Sequence, residues 1–301
     1  MREEARKADL HSFEARYFER MASSLGDKAK LIKYLPAITD PANPPKVLDI
    51  GAGGGEFANA LSEAGYAVTA LDASDDAVVR IREKFPTITT ATLLANHTHE
   101  LGEGVFDVVI CSSILHEVFS YGDDIHSRGH MSSLARAFES FRKALKPGGL
   151  LLIRDGVLPE NWNDAASFNL LEGHENTSVE TYLDMCPFAN GRAYGEQGTL
   201  VNLTSVTGKT YAGNVRSVLE FAYTYTWGLD SYPRETQELY AVKTLAEYDT
   251  FLEDHGFVVE ESFSYLQPGY PANLAEKMTL KVNEAPSEWF DSNAIWVARK
   301  A

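Results

Sequence analysis

The sequence is short of positive charge. Its 27 lysines and arginines face 43 aspartates and glutamates, a formal net charge of −16. Gripping a phosphate backbone takes a basic face, so nucleic acid is disfavoured as a partner. Cysteine is nearly absent. Cys111 and Cys186 are the only two and lie far apart in the chain, which argues against a disulfide-built scaffold and fits a reducing, cytoplasmic setting. Long hydrophobic runs are missing too. The longest, around Val105–Ile114, is too short to span a bilayer, and the stretch Met1-Arg-Glu-Glu-Ala-Arg-Lys7 has no apolar signal core. No membrane partner is expected. The remaining composition, 44% hydrophobic and 23% charged over 301 residues, suits one large core, or one core with an insertion.

What is present is a glycine turn with acids on both sides. An apolar run ends at Asp49, and glycines follow at alternate positions, Gly51, Gly53 and Gly55. About twenty residues on, a second apolar run, Tyr66–Leu71, ends in Asp72. This reads as strand, turn, helix, strand and a carboxylate at the second tip. Such a unit holds a nucleoside, because backbone approaches the ligand closely and the acid accepts from both ribose hydroxyls. In a dinucleotide fingerprint the third glycine would stand where Glu56 stands, and a carboxylate there opposes a pyrophosphate. A nicotinamide oxidoreductase is therefore the weakest reading.

The pattern continues along the chain. Helical periodicity covers residues 3–24, with Phe13, Tyr17, Phe18 and Met21 on one side, and a second helix is expected over Lys28–Leu35. Pro36, Pro41, Pro44 and Pro45 stiffen the connector. Strands are expected near 46–51, 67–72, 90–95, 106–114 and 150–154, with helices at 55–64, 77–84 and 131–145. Ser74 is an expected N-cap, and Thr244 with Glu247 an expected capping box. The stretch 157–243 is rich in aromatics, including Trp162, Phe168, Tyr182, Phe188, Tyr194, Tyr211, Phe221, Tyr223, Tyr225, Trp227 and Tyr232. Within it a hairpin turns at Thr207-Gly208, and Val215–Thr226 reads as a helix. The aromatics either cover the strand ends as a lid or build a satellite core.

The spacing Asp49-x-Gly51-x-Gly53-x-Gly55 resembles motif I of the class I S-adenosylmethionine-dependent methyltransferases. Phe106-Asp-Val-Val-Ile110 and Leu145-Lys-Pro-Gly-Gly-Leu-Leu-Leu-Ile153 resemble the same family before and at its fifth strand. The resemblance covers about 45–156 and resumes near 244–301. It implies an α/β fold: a Rossmann-like, seven-stranded, mostly parallel sheet with helices on both faces, N-terminal helices in 1–45, a core in 46–156 and 244–301, and an insertion in 157–243. The implied cofactor is S-adenosyl-L-methionine. Asp49, Gly51, Ala52, Gly53 and Gly55 would line its methionine and ribose, Asp72 would take the ribose diol, and Ala73 would lie beside the adenine. Asn96 and His97 stand where the family usually has an acid near the adenine amine; Ser112 and Ser113 end the fourth strand near the methionine.

On the acceptor side, His116 and Glu117 follow the fourth strand and Asp155 follows the fifth. All three are candidates for general base or acceptor hydrogen bonding; cap, first-turn and Asx roles are the structural alternatives. His97-Thr-His99-Glu100 and the group Asp123, Asp124, His126 and His130 have metal-ligand residue types, but spacing fixes no complete ligand set. Both read as solvated loops, and no metal is expected. The leading expectation is methyl transfer to O or N of a small-molecule acceptor. An RNA methyltransferase, disfavoured by charge, and a non-catalytic cofactor-binding subunit are the alternatives. The sequence sets no oligomeric state.

Overall fold

A computed structural model describes residues 25–124, 126–189 and 199–301. The periodic helix expected over 3–24 and Tyr194 lie outside these residues. Described structure opens with α1 (Leu25–Lys28), which tightens into a 3₁₀ turn over Ala29–Tyr34. The proline-rich connector leads into β1 (Lys46–Ile50), followed by α2 (Glu56–Glu63), β2 (Ala67–Asp72), α3 (Asp75–Lys84) and β3 (Thr89–Thr92). Next come β4 (Phe106–Ser112), α4 (Leu115–Tyr121), α5 (Met131–Ala144) and β5 (Leu145–Gly156). The expected fifth strand, 150–154, is longer at both ends, because Leu145 already pairs with Phe106 and an irregularity carries the chain through Lys146-Pro-Gly-Gly149.

These strands form one sheet in the order β3-β2-β1-β4-β5, closed by β12 (Asn293–Lys300) and β9 (Phe257–Tyr265). The first five are parallel, and β12 is antiparallel to both its neighbours. Val47, Leu48, Val108, Val109 and Ile110 are wholly buried, as strands covered on both faces require. The order of the chain reverses on either side of β1, so the crevice for a ligand opens at the C-terminal tips of β1, β2 and β4. On the far flank α9 (Leu245–Asp254) starts with the Thr244–Glu247 capping box, and its Tyr248 packs 4.8 Å from the buried Trp296 of β12.

A second, antiparallel sheet follows β5 in the chain. It is built from β6 (Ala165–Leu170), β7 (Thr204–Thr207) and β8 (Thr210–Asn214), together with β10 (Met278–Val282) and β11 (Ala285–Pro286). It therefore draws strands from the 157–243 stretch and from the later one. Three helices attend it: α6 (Asn176–Met185), α7 (Val215–Thr226) and α8 (Tyr232–Glu235), with α10 (Tyr270–Ala275) beside α7. Helix α7 and the residue after it set aromatics in two places. Phe221 stacks 5.0 Å from Phe168 and meets Tyr182 edge-on at 5.5 Å, which is core packing. Tyr223 and Trp227 line a pocket instead.

The two layers meet where β5 ends. A Cβ added to Gly156 would lie 1.6 Å from the carbonyl oxygen of Tyr240. Backbone, not a movable side chain, blocks the position, so Gly156→Ala is expected to lower the unfolding free energy by about 3 kcal/mol. Urea denaturation measures this; an unchanged midpoint would mean the layers separate freely.

Candidate functional site

The turn after β1 explains the glycine spacing. Gly51, Gly53 and Gly55 have φ of 69°, 56° and 83°, a region that other residues enter at a cost. At Gly51 a Cβ would also fall 2.5 Å from Ile114. The N–H groups of Gly51 and Ala52 donate to the Leu71 carbonyl at 2.8 and 3.0 Å, tying the turn to β2. Asp72 braces it further: Oδ2 accepts from Gly53 N–H and Oδ1 from Ser74 N–H, both at 2.9 Å. Each oxygen keeps a second lone pair.

Above the turn lies a cavity of about 260 Å³, walled by Gly51, Gly53, Asp72, Ala73, Asn96, Ser113 and Glu117 among others. Asp49, Ala52, Gly55 and Ser112 are buried and lie off that wall. Asp49 Oδ2 and Asn96 Oδ1 are buried with no hydrogen-bond partner among the described residues. Burial pushes the Asp49 carboxyl up to about 6, helped by the charge of Asp72 and opposed by Lys28. His97 turns elsewhere; it is exposed, and its Nδ1 pairs with Glu100 Oε1 at 2.7 Å.

A second pocket adjoins the first, and Ser113 and Glu117 line both. Ser113 holds a left-handed φ of 58°, a strained setting of the kind that collects at functional sites. Its hydroxyl takes a hydrogen bond from Arg154, which is itself paired with Asp27. The organising group is Asp155. Oδ2 accepts from Ile114 and Leu115 N–H at 2.9 and 2.7 Å, and Oδ1 from Gly156 N–H at 2.7 Å. Oδ1 also meets His116 Nδ1 at 2.6 Å. Burial alone would raise the Asp155 carboxyl, but His116 and the backbone donors hold it below the usual carboxylate range. It is a positioning group for His116.

Beyond His116 stand residues that sequence reasoning passed over. Nε2 lies 3.5 Å from Glu238 Oε2, the ring stacks on Tyr240 at 5.7 Å, and Glu238 Oε1 accepts from Tyr121 at 2.7 Å. Burial would depress the imidazole, yet the charges of Asp155 and Glu238 raise it well above its usual value. Burial, then Glu238, pushes Glu117 up to about 8, and the same two causes push Glu235 up to about 7. Tyr223, Trp227, Tyr240 and Tyr270 complete an aromatic wall. The aromatic richness of 157–243 was a signal for Tyr223 and Trp227; nothing local marked Glu235 or Glu238.

Residues 48–153, which carry the glycine turn and most of the first pocket's lining, match the model of the methyltransferase domain family. A methyltransferase domain thus occupies residues 48–153. It is 34% identical over 117 residues to an uncharacterized methyltransferase of Synechocystis, covering 39% of this chain and 50% of that one. A demethylmenaquinone methyltransferase of Chlorobaculum parvum is 28% identical over 118 residues, 39% of this chain and 43% of its own. The chain thus spans about half the length, or less, of these curated relatives. Among solved structures, an S-adenosylmethionine-dependent methyltransferase of Mesorhizobium loti superposes with a TM-score of 0.51 at 18% identity, covering 90% of this chain and 96% of that one. The likeness is one of fold, and it extends over the second sheet's part of the chain as well. S-adenosylmethionine is the cofactor of this methyltransferase family, and no helix among the described residues is long and apolar enough to cross a membrane.

Removing the charge of Asp155 unties three backbone N–H groups and His116 together. Asp155→Asn is expected to cost about 3 kcal/mol of stability, as breaking a buried pair does. Chemical denaturation at neutral pH reads it; a loss within experimental scatter would show that the methyltransferase core does not lean on this carboxylate.

Proposed function

We propose that the chain transfers a methyl group to oxygen or nitrogen of a small-molecule acceptor, with S-adenosylmethionine in the first pocket and the acceptor in the second. One observation carries the reading: two buried-to-half-buried carboxylates, Asp49 and Asp72, flank a turn stripped of side chains, beside a pocket rich in aromatic and titratable groups. When bound, S-adenosylmethionine supplies a methyl group already activated on a sulfonium. Unsatisfied Asp49 Oδ2 suits an ammonium, and unsatisfied Asn96 Oδ1 suits an exocyclic amine. Asp72 has lone pairs left for a ribose diol, with Ala73 next to it; Gly51 and Gly53 leave room for close approach. Ala52, Gly55 and Ser112 support the turn and the strand end from behind, and His97 has no part in this assignment.

On the other side of Ser113, the protein's work is alignment and exclusion of water. His116, held by Asp155, and Glu117 are the groups placed to take an acceptor's proton, which an oxygen acceptor needs to lose and a neutral amine does not. The wall of Tyr223, Trp227, Tyr240 and Tyr270 favours a flat or cationic acceptor. Methyl-labelled S-adenosylmethionine, incubated with fractionated metabolites or with RNA, tests the reading. Label is expected in a small-molecule fraction with the wild type, and a strong loss with Asp72→Ala. Label confined to RNA, or none anywhere, would reject it.

Asp49 adds a pH dependence. A cationic ligand selects its ionised form, which exists above about 6 and is lost below it. Affinity for S-adenosylhomocysteine, which keeps the ammonium, should fall about tenfold from pH 7 to pH 5. Calorimetry at both pH values checks this, and Asp49→Asn should flatten the profile.

A further inference from the structure

We infer that His116, Glu117 and Glu238 form a binding site for a divalent first-row transition-metal cation at the junction of the two pockets. One ring nitrogen of His116 and one carboxylate oxygen from each glutamate lie within 4.8 Å of one another, and Nε2 is 3.5 Å from Glu238 Oε2. A cation needs little side-chain movement to bring such atoms to the roughly 2.0–2.2 Å of a coordinate bond. The groups come from separate parts of the chain: two from the first turn of α4, and one from the loop after α8 that the second layer lays across the core.

Two further features point to a ligand set rather than a chance cluster. The far nitrogen of His116 is engaged by Asp155 at 2.6 Å, and Asp155 is in turn pinned by three backbone N–H groups. A carboxylate behind a histidine, leaving Nε2 outward, is the arrangement that orients metal-binding imidazoles. Glu238 is fixed in the same manner, since Tyr121 donates to Oε1 while Oε2 faces His116. The His116 and Glu238 side chains are only 9% and 5% exposed, so two carboxylates and a neutral imidazole would meet a dication with no net charge left over in a poorly solvated place. One nitrogen and two oxygens suit Mn²⁺, Fe²⁺ or Zn²⁺ better than a soft ion. Three protein ligands leave coordination positions open toward the second pocket, as catalytic sites do.

That last role, presenting an acceptor oxygen, rests on the two-pocket reading above; the binding of metal does not. Metal-free, His116 Nε2 faces Glu238 Oε2 at 3.5 Å; metal-bound, it is a ligand. The states are exclusive, and metal occupancy reports which one the protein adopts.

The test is Mn²⁺ binding to the full chain after treatment with chelator, followed by electron paramagnetic resonance. We expect about one tightly held Mn²⁺ per chain, with Glu238→Gln and His116→Gln each weakening it at least about tenfold, while both variants still bind S-adenosylhomocysteine. Should either fail to fold, the half-buried Glu117→Gln carries the same expected loss of Mn²⁺. Mn²⁺ that stays free at millimolar metal, or binding that none of these substitutions weakens, would overturn the site. Because occupancy is the readout, the result does not depend on finding the acceptor.

Discussion

The carboxylate of Asp155 is the knot of this molecule. It sits at the tip of β5, closes the start of α4 by accepting from Ile114 and Leu115, and fixes His116. Ion pairs on a protein surface contribute little; this one is buried, satisfied on every side, and holds three elements in register. Ile114, whose amide it takes, is the residue whose side chain fills the space opposite Gly51. The glycine turn and the aromatic wall of the second pocket are therefore aligned through one residue's hydrogen bonds, not through the sheet alone.

The second layer reaches the same point by a different route. Buried Glu220 on α7 accepts from Tyr240 and Ala241 N–H at 2.8 and 3.0 Å, and Arg216 donates to the Val242 carbonyl at 2.9 Å. These bonds press the 237–243 strap onto Gly156 and deliver Glu238 and Tyr240 to His116. The strong negative bias of the sequence is thus not only a solvated coat. Part of it, as Glu117, Glu235 and Glu238, is concentrated where the layers touch, and burial first, then the charge of Glu238, raises the proton affinities of Glu117 and Glu235.

Much of the core was legible because its signals are local. Parallel strands covered on both faces must be continuously apolar, so β1, β2 and β4 stood out; the helix Val215–Thr226 and the Thr244–Glu247 capping box were readable from periodicity and cap chemistry. The second sheet was not, apart from its hairpin. Its strands are short, β7 is exposed throughout, and β6 finds its partner β10 far along the chain, a pairing no window of residues contains. The site divides the same way. Asp72, Ser113, His116 and Glu117 follow from strand ends. His97 sits on a 3₁₀ turn over Ala95–Leu101, exposed and paired with Glu100, off the cavity that Asn96 lines. Glu238 was invisible, since its importance lies wholly in what the fold brings near it.

The glycine turn has a bearing on how such a chain can diversify. Gly51 is hemmed by Ile114 and Gly55 by Ile81, so neither tolerates drift without disturbing a neighbouring helix or strand connection. The glycine-turn end of the crevice is frozen by geometry. New chemistry in descendants of this chain has to be written at the opposite end, in the side chains of the aromatic strap and helix.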